Sequence, residues 1–266
     1  MKPESKTSDA VLSPAAGLDE ETARAEIYGL LAALWYAPPA PELLQALRLA
    51  VTEAPAAGAP QAKPLAGGDV SRFVSKGSAF FKLKASGPPR DFHFLMLPKM
   101  TMLAFSAAVE PLRIANQLTG QCLYRWYLLT EDGQPVRCSN GVSIVAESAL
   151  GPVGRDDTVL ICSGVDGYLA ASEKTVSWLR GLAHHGRTVG GLCTGAFTLA
   201  RAGLLTGKRF TLHWENQSAF EESFPDLPIA NQLYCRDGAI LTCGGGNACV
   251  DMMVSLIKEN HGDGLA

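Results

Sequence analysis

Residues 91–266 predict an α/β fold with a mostly parallel sheet covered by helices on both faces. Two observations carry that prediction. Apolar strand-like runs alternate with helical repeats, as in successive βαβ units. In addition, Arg187–Phe197 passes from a short strand, through glycines around one cysteine, into a helix. Such a strand–elbow–helix turn is too tight for Cβ atoms, and it lifts the side chain at its apex above the sheet.

Taken in order, the chain opens with a polar, proline-punctuated stretch, Met1 to Leu18. From Asp19 to Leu49 the pattern is helical, with Ala23, Ile27, Leu30, Leu31 and Leu34 recurring at intervals of three and four. Pro38, Pro39 and Pro41 interrupt it, so residues 1–53 read as a helical hairpin too small to bury itself alone. Residues 54–90, rich in Ala, Gly, Pro, Ser and Lys, read as a flexible linker.

The second unit, 91–266, begins with the buried strand Phe92–Leu97, and a helix over Thr101–Leu118 contains Pro111. Tyr124–Thr130 reads as a strand, and Val136–Cys138 pairs with Val142–Val145 around Ser139-Asn140-Gly141 as a hairpin. The apolar strand Thr158–Cys162 ends at Ser163-Gly164, and Ser172–His185 is helical. After the elbow and its helix through Ala202 come a strand-end motif at Thr211–Glu215, a helix to Phe224 and a hairpin around Arg236-Asp237-Gly238. A closing helix runs from Ala248 to about Asn260. Ligands of such sheets sit at the carboxyl ends of strands, where Cys193 and the Ser163-Gly164 turn both fall.

Composition narrows the function. A hydrophobic content of 47% supports a core, and a net charge of −3 lacks the basic footprint of a nucleic-acid binder. Seven scattered cysteines, several in apolar runs, suit a reducing cytosol. With neither a signal segment nor an apolar run near the roughly 20 residues of a membrane span, a cytoplasmic protein with no membrane partner is expected. Without CxxC or HExxH spacing no metal is expected, nor any cofactor.

Leu97-Pro98, Ser106 to Arg113, Gly191-Leu192-Cys193-Thr194-Gly195-Ala196-Phe197, Ala200 to Leu205 and Thr211 to Asn216 together resemble the sensor domain of GlxA-type regulators in the AraC family of transcription factors. The resemblance implies a PfpI, or class I glutamine amidotransferase-like, three-layer sandwich of flavodoxin-like type over 91–266. It further implies a homodimer that binds a small nitrogen-containing metabolite such as an amino acid, an arginine derivative or a quaternary amine. DNA is contacted in that family through C-terminal helix-turn-helix units, and the sequence is expected to lack them. Residues 17–58 resemble the N-terminus of TorD-type chaperones, which leaves a chaperone-like interaction protein as a third reading.

The candidate residues follow. Cys193 is either a nucleophile, its thiolate favoured by the helix dipole, or a small residue lining a pocket. A nucleophile needs a base within hydrogen-bond reach, and His213 is the candidate, with Glu215 able to orient it or to charge the next helix. Backbone amides of Gly164 or Val165 and of Thr194 would form an anion hole. Trp214 would take a cation or belong to the core. PfpI-like hydrolases and glyoxalases place a glutamate from the first helix against the cysteine. Here Ala104 stands at that position and the nearest carboxylate is Glu110, which would hold Arg113 or reach a cationic ligand. PfpI-type proteases also follow the cysteine with histidine, where this chain has Thr194. The expectation is therefore a ligand-sensing domain. The alternative is a cysteine-dependent enzyme, a hydrolase or glyoxalase, using Cys193 and His213.

Overall fold

The structure, a computed structural model, describes residues 70–75, 81–83 and 87–266. The expected hairpin at 1–53 and most of the expected linker lie outside the described residues. Among the described residues, eight strands and five helices follow in the order β1 (Arg90–Met96), α1 (Met102–Thr119), β2 (Tyr124–Leu129), β3 (Val136–Arg137), β4 (Ser143–Ile144), β5 (Thr158–Cys162), α2 (Glu173–His184), β6 (Thr188–Leu192), α3 (Ala196–Arg201), α4 (Gln217–Ser223), β7 (Tyr234–Asp237), β8 (Ile240–Cys243) and α5 (Ala248–His261). Six strands form one sheet in the order β2-β1-β5-β6-β8-β7. All neighbours are parallel except β7, which pairs antiparallel with β8 at the edge. The hairpin β3–β4 stands apart.

Alternate side chains of each strand divide between two cores, as a pleated sheet covered on both faces requires. Phe92, Phe94, Met96, Leu160 and Cys162 face a layer that includes Leu112 of α1 and Met252, Met253 and Leu256 of α5. Leu95, Val159, Ile161 and Val189 face the other, with Val176 and Leu179 of α2, Phe197 of α3 and Phe220 of α4. Pro111 does not break α1, which is continuous over 18 residues and ends on Gly120 in the left-handed conformation. Ser172 caps α2, accepting from the Thr175 N–H, while the Glu131 carboxylate accepts from the Ser172 and Thr175 hydroxyls.

Two parts of the sequence-based picture need correction. Residues 70–75 and 81–83, placed in the linker, pack onto the sandwich: Phe73 is buried, and Phe81 and Leu83 lie against the α1/α5 core. Thr211–His213 forms no strand. Instead the Thr211 N–H donates to Thr242 Oγ1 and the Thr211 hydroxyl to the Gln232 carbonyl, and Trp214–Asn216 is a 3-10 turn.

Candidate functional site

The elbow after β6 is built by close approach of backbone. A Cβ on Gly191 would lie 2.6 Å from the Gly195 carbonyl carbon, and one on Gly195 would lie 2.7 Å from the Gly191 Cα. Neither position tolerates a side chain, so the chain turns in the space that two glycines leave. Between them Cys193 adopts φ +59°, a conformation that costs an L-residue roughly 1–2 kcal/mol. The strained turn is held from two sides, the Cys193 N–H donating to the Cys243 carbonyl (3.1 Å) and the Cys193 carbonyl accepting from the His213 N–H (3.1 Å).

Cys193 is 5% exposed, and its Sγ lies 3.6 Å from Thr101 Oγ1. Thr101 precedes α1 as its N-cap residue without making a side-chain cap, which leaves its hydroxyl free for the sulfur. Burial pushes the Cys193 thiol above its ordinary range, overcoming the opposite pull of the Thr101 hydroxyl and the Thr194 N–H. This corrects the expectation of a dipole-activated thiolate. α3 starts three residues beyond the cysteine and has only six residues, so desolvation dominates.

His213 is brought beside Cys193 by its backbone. Among the described residues the thiol's hydrogen-bond partner is Thr101, while the imidazole stacks on Trp214 with ring centroids 5.7 Å apart and lies 3.9 Å from the Glu215 carboxylate. At that distance Glu215 forms an ion pair only with a protonated ring, and its own side chain is mostly exposed. Trp214 is 75% exposed, which removes the core reading.

Of the amides expected in an anion hole, the Val165 N–H is already taken, donating to the Lys99 carbonyl (3.1 Å), while the bridge between Met100 and Gly164 is made by the Val165 and Thr101 N–H groups and not by that of Gly164. The Thr194 side chain is buried, its hydroxyl donating to the Gly164 carbonyl (2.7 Å) and reaching Ser163 Oγ (3.0 Å). Thr194 and Gly164 therefore hold two strand ends together, and the Thr194 N–H turns toward the Cys193 sulfur. Glu110 does not reach the elbow. It lies nine residues along α1 from Thr101, roughly 13 Å at the helical rise, and accepts from Arg113 Nε at 2.7 Å. Ala104, buried one turn from Thr101, leaves the thiol without a carboxylate from α1.

Sequence reasoning missed two contributors. Thr101 carried a signal, since a threonine directly before a helical repeat is a cap candidate whose hydroxyl can turn elsewhere. Gly245, in the loop after β8, packs on the elbow: a Cβ there would lie 2.9 Å from the Cys193 Cβ. Beyond Val165, an open cavity of about 620 Å³ is lined by Lys99, Arg137, Cys138 and Ser139 among others. No cluster of three or more metal-ligand side chains occurs among the described residues.

A parallel sandwich with a strained cysteine on a glycine elbow at the carboxyl ends of its strands defines a class of flavodoxin-like ligand and enzyme scaffolds. A profile of the DJ-1/PfpI family matches residues 108–259, and the chain belongs to that family. It is 45% identical over 177 residues to the HTH-type transcriptional regulator CdhR of Pseudomonas aeruginosa, covering 66% of this chain and 52% of that protein. To the HTH-type transcriptional regulator GlxA of Rhizobium meliloti it is 37% identical over 174 residues, covering 65% and 54%. The crystal structure of an AraC family transcriptional regulator from Pseudomonas putida superposes with a TM-score of 0.60 at 27% identity, covering 66% of this chain and 95% of that one. The chain thus spans about half the length of the curated relatives it matches. Among the described residues, no helix is long and apolar enough to cross a membrane.

Proposed function

We propose that residues 91–266 form the metabolite-sensing domain of a cytoplasmic, homodimeric transcriptional regulator of the AraC/GlxA type, with DNA contacted by a region other than this sandwich. The observation that carries this reading is the state of Cys193. The elbow keeps the geometry of a nucleophile, yet the thiol is desolvated, hydrogen-bonded to Thr101 and backed by Ala104 rather than a carboxylate. Such a sulfur forms the floor of a pocket. The groups above it suit a small zwitterion. The exposed Trp214 face, stacked with His213, offers a surface for a cation, and Arg137 in the neighbouring cavity offers positive charge for a carboxylate, Lys99 there being paired with Asp166. The regulators CdhR and GlxA, alike over this region, support the assignment.

The competing reading is a cysteine-dependent hydrolase or glyoxalase, favoured by the positive φ of Cys193 and the closeness of His213. A thermal-shift screen of amino acids, arginine derivatives and quaternary amines against the wild type and Cys193→Ala separates the two. The sensor reading expects a stabilising ligand whose shift survives the substitution. Turnover of methylglyoxal or an ester that disappears in Cys193→Ala would sink it.

A further inference from the structure

The wall behind the elbow contains a second pair of sulfurs. Cys243, the last residue of β8, and Cys249, the second residue of α5, have their Sγ atoms 3.1 Å apart. Both are fully buried. The four residues that separate the strand from the helix are Gly244-Gly245-Gly246-Asn247, and the three glycines over the pair are only half-buried. Gly245 at φ +83° and Gly246 at φ +55° adopt left-handed conformations that glycine alone takes without strain. The pair is therefore covered by a short segment that can reshape at little cost and that itself touches Cys193.

We propose that Cys243 and Cys249 are a reversible modification site, a dithiol that forms an intramolecular disulfide by exchange with a low-molecular-weight disulfide of the glutathione class. A disulfide needs the sulfurs to close from van der Waals contact to about 2.05 Å, a movement of roughly 1 Å that a glycine loop can absorb. The two thiols also play different roles. The two sulfurs are within hydrogen-bond reach, and the contact with Cys249 together with the Gly245 N–H draws the Cys243 thiol below its ordinary range while Cys249 is pushed up. Cys243 is thus the attacking sulfur. Its thiolate displaces one thiolate from the reagent disulfide, giving a mixed disulfide, and that leaving group takes up the proton Cys243 gave up. Cys249, deprotonated in turn, attacks the Cys243 sulfur and releases the second reagent thiol. Two electrons pass from the pair to the reagent, and both protons leave with its thiols.

The site differs from the elbow in chemistry but is joined to it. Cys243 accepts the Cys193 N–H at its carbonyl, and Gly245 packs on the Cys193 Cβ, so closing the bridge shifts the wall of the pocket. The proposal is independent of which ligand the pocket takes. Its test is to incubate the folded full chain with oxidised glutathione, block remaining thiols with iodoacetamide and map the tryptic peptides. The expected product is peptide 237–258 lighter by about 2 Da with neither cysteine alkylated, restored by dithiothreitol. The bridge persists in Cys193→Ser and is lost in Cys249→Ser. The alkylation rate of Cys193 also changes about threefold or more between the reduced and oxidised forms. Peptide 237–258 recovered with both thiols alkylated, or a bridge from Cys243 to Cys193 in place of Cys249, would overturn the proposal. Wild-type mapping decides this even if Cys249→Ser does not fold.

Discussion

The two ends of the central sheet are built on opposite principles. At the carboxyl end, Lys99 after β1, Asp166 after β5 and Cys193 after β6 are the three described non-glycine residues with positive φ, and large apolar side chains such as Trp214 and Val165 stand in solvent. At the amino end the described non-glycine residues keep negative φ and two ion pairs are well formed, although Arg187 Nε and His261 Nε2 are buried there without a hydrogen-bond partner. Arg125 makes two bonds to the Asp91 carboxylate (2.6 and 2.7 Å), and the His93 ring stacks on Tyr127 and bonds Asp157 at 2.8 Å. Backbone strain is thus concentrated where a ligand would sit, and the ion pairs of the opposite end supply part of the stability that tolerates it.

That contrast can be broken at four points. The largest effect is expected from Gly191→Ala: the new Cβ meets the Gly195 backbone, costing about 2–3 kcal/mol and lowering the melting temperature by several degrees. Arg125→Ala leaves the half-buried Asp91 carboxylate without its bidentate partner, and chemical denaturation should register a loss of about 1–2 kcal/mol. Cys193→Gly should exceed Cys193→Ala in stability by about 1 kcal/mol, because glycine relieves the positive φ. An equal or reversed order would mean that the elbow is not strained.

The smallest effect concerns pH. Burial raises the Asp157 carboxyl, but the His93 ring and the Gly154 N–H outweigh it and hold the group below its ordinary range. A depressed folded-state value stabilises the fold above the ordinary carboxylate range, and that stability is lost as pH falls through the folded-state value. Asp157→Asn should therefore flatten the acid limb of the melting-temperature profile and leave neutral-pH ligand binding unchanged.

The same contrast decides what could be read in the sequence. Strands such as Thr158–Cys162 and the elbow at Gly191–Gly195 were legible because their constraints are local: a continuous apolar run, and glycines where no Cβ fits. The state of Cys193 was not, since its desolvation and its Thr101 partner come from a segment 92 residues away. Thr211–His213 alternates like a strand, but the sheet position beside β8 is taken by β7, so the Thr211 N–H turns to the Thr242 hydroxyl and the His213 N–H to the Cys193 carbonyl. Trp214 carried no local mark that it would face outward; only the 3-10 turn after His213 turns it there.

The packed residues ahead of β1 have a practical consequence. Arg72 lays its guanidinium 4.4 Å from the Phe73 ring centroid, bonds the Trp126 carbonyl of β2 and pairs with Glu147. The buried Asn116 side chain donates to the Phe73 carbonyl. β2 is the outer strand of the sheet, so Arg72 blunts a rim that would otherwise invite another chain to pair. A recombinant fragment started at residue 90, where the first strand begins, would strip that cover and leave Asn116 without one of its acceptors. Starting at residue 70 keeps both, and such a fragment should stay dispersed at concentrations where the shorter one self-associates.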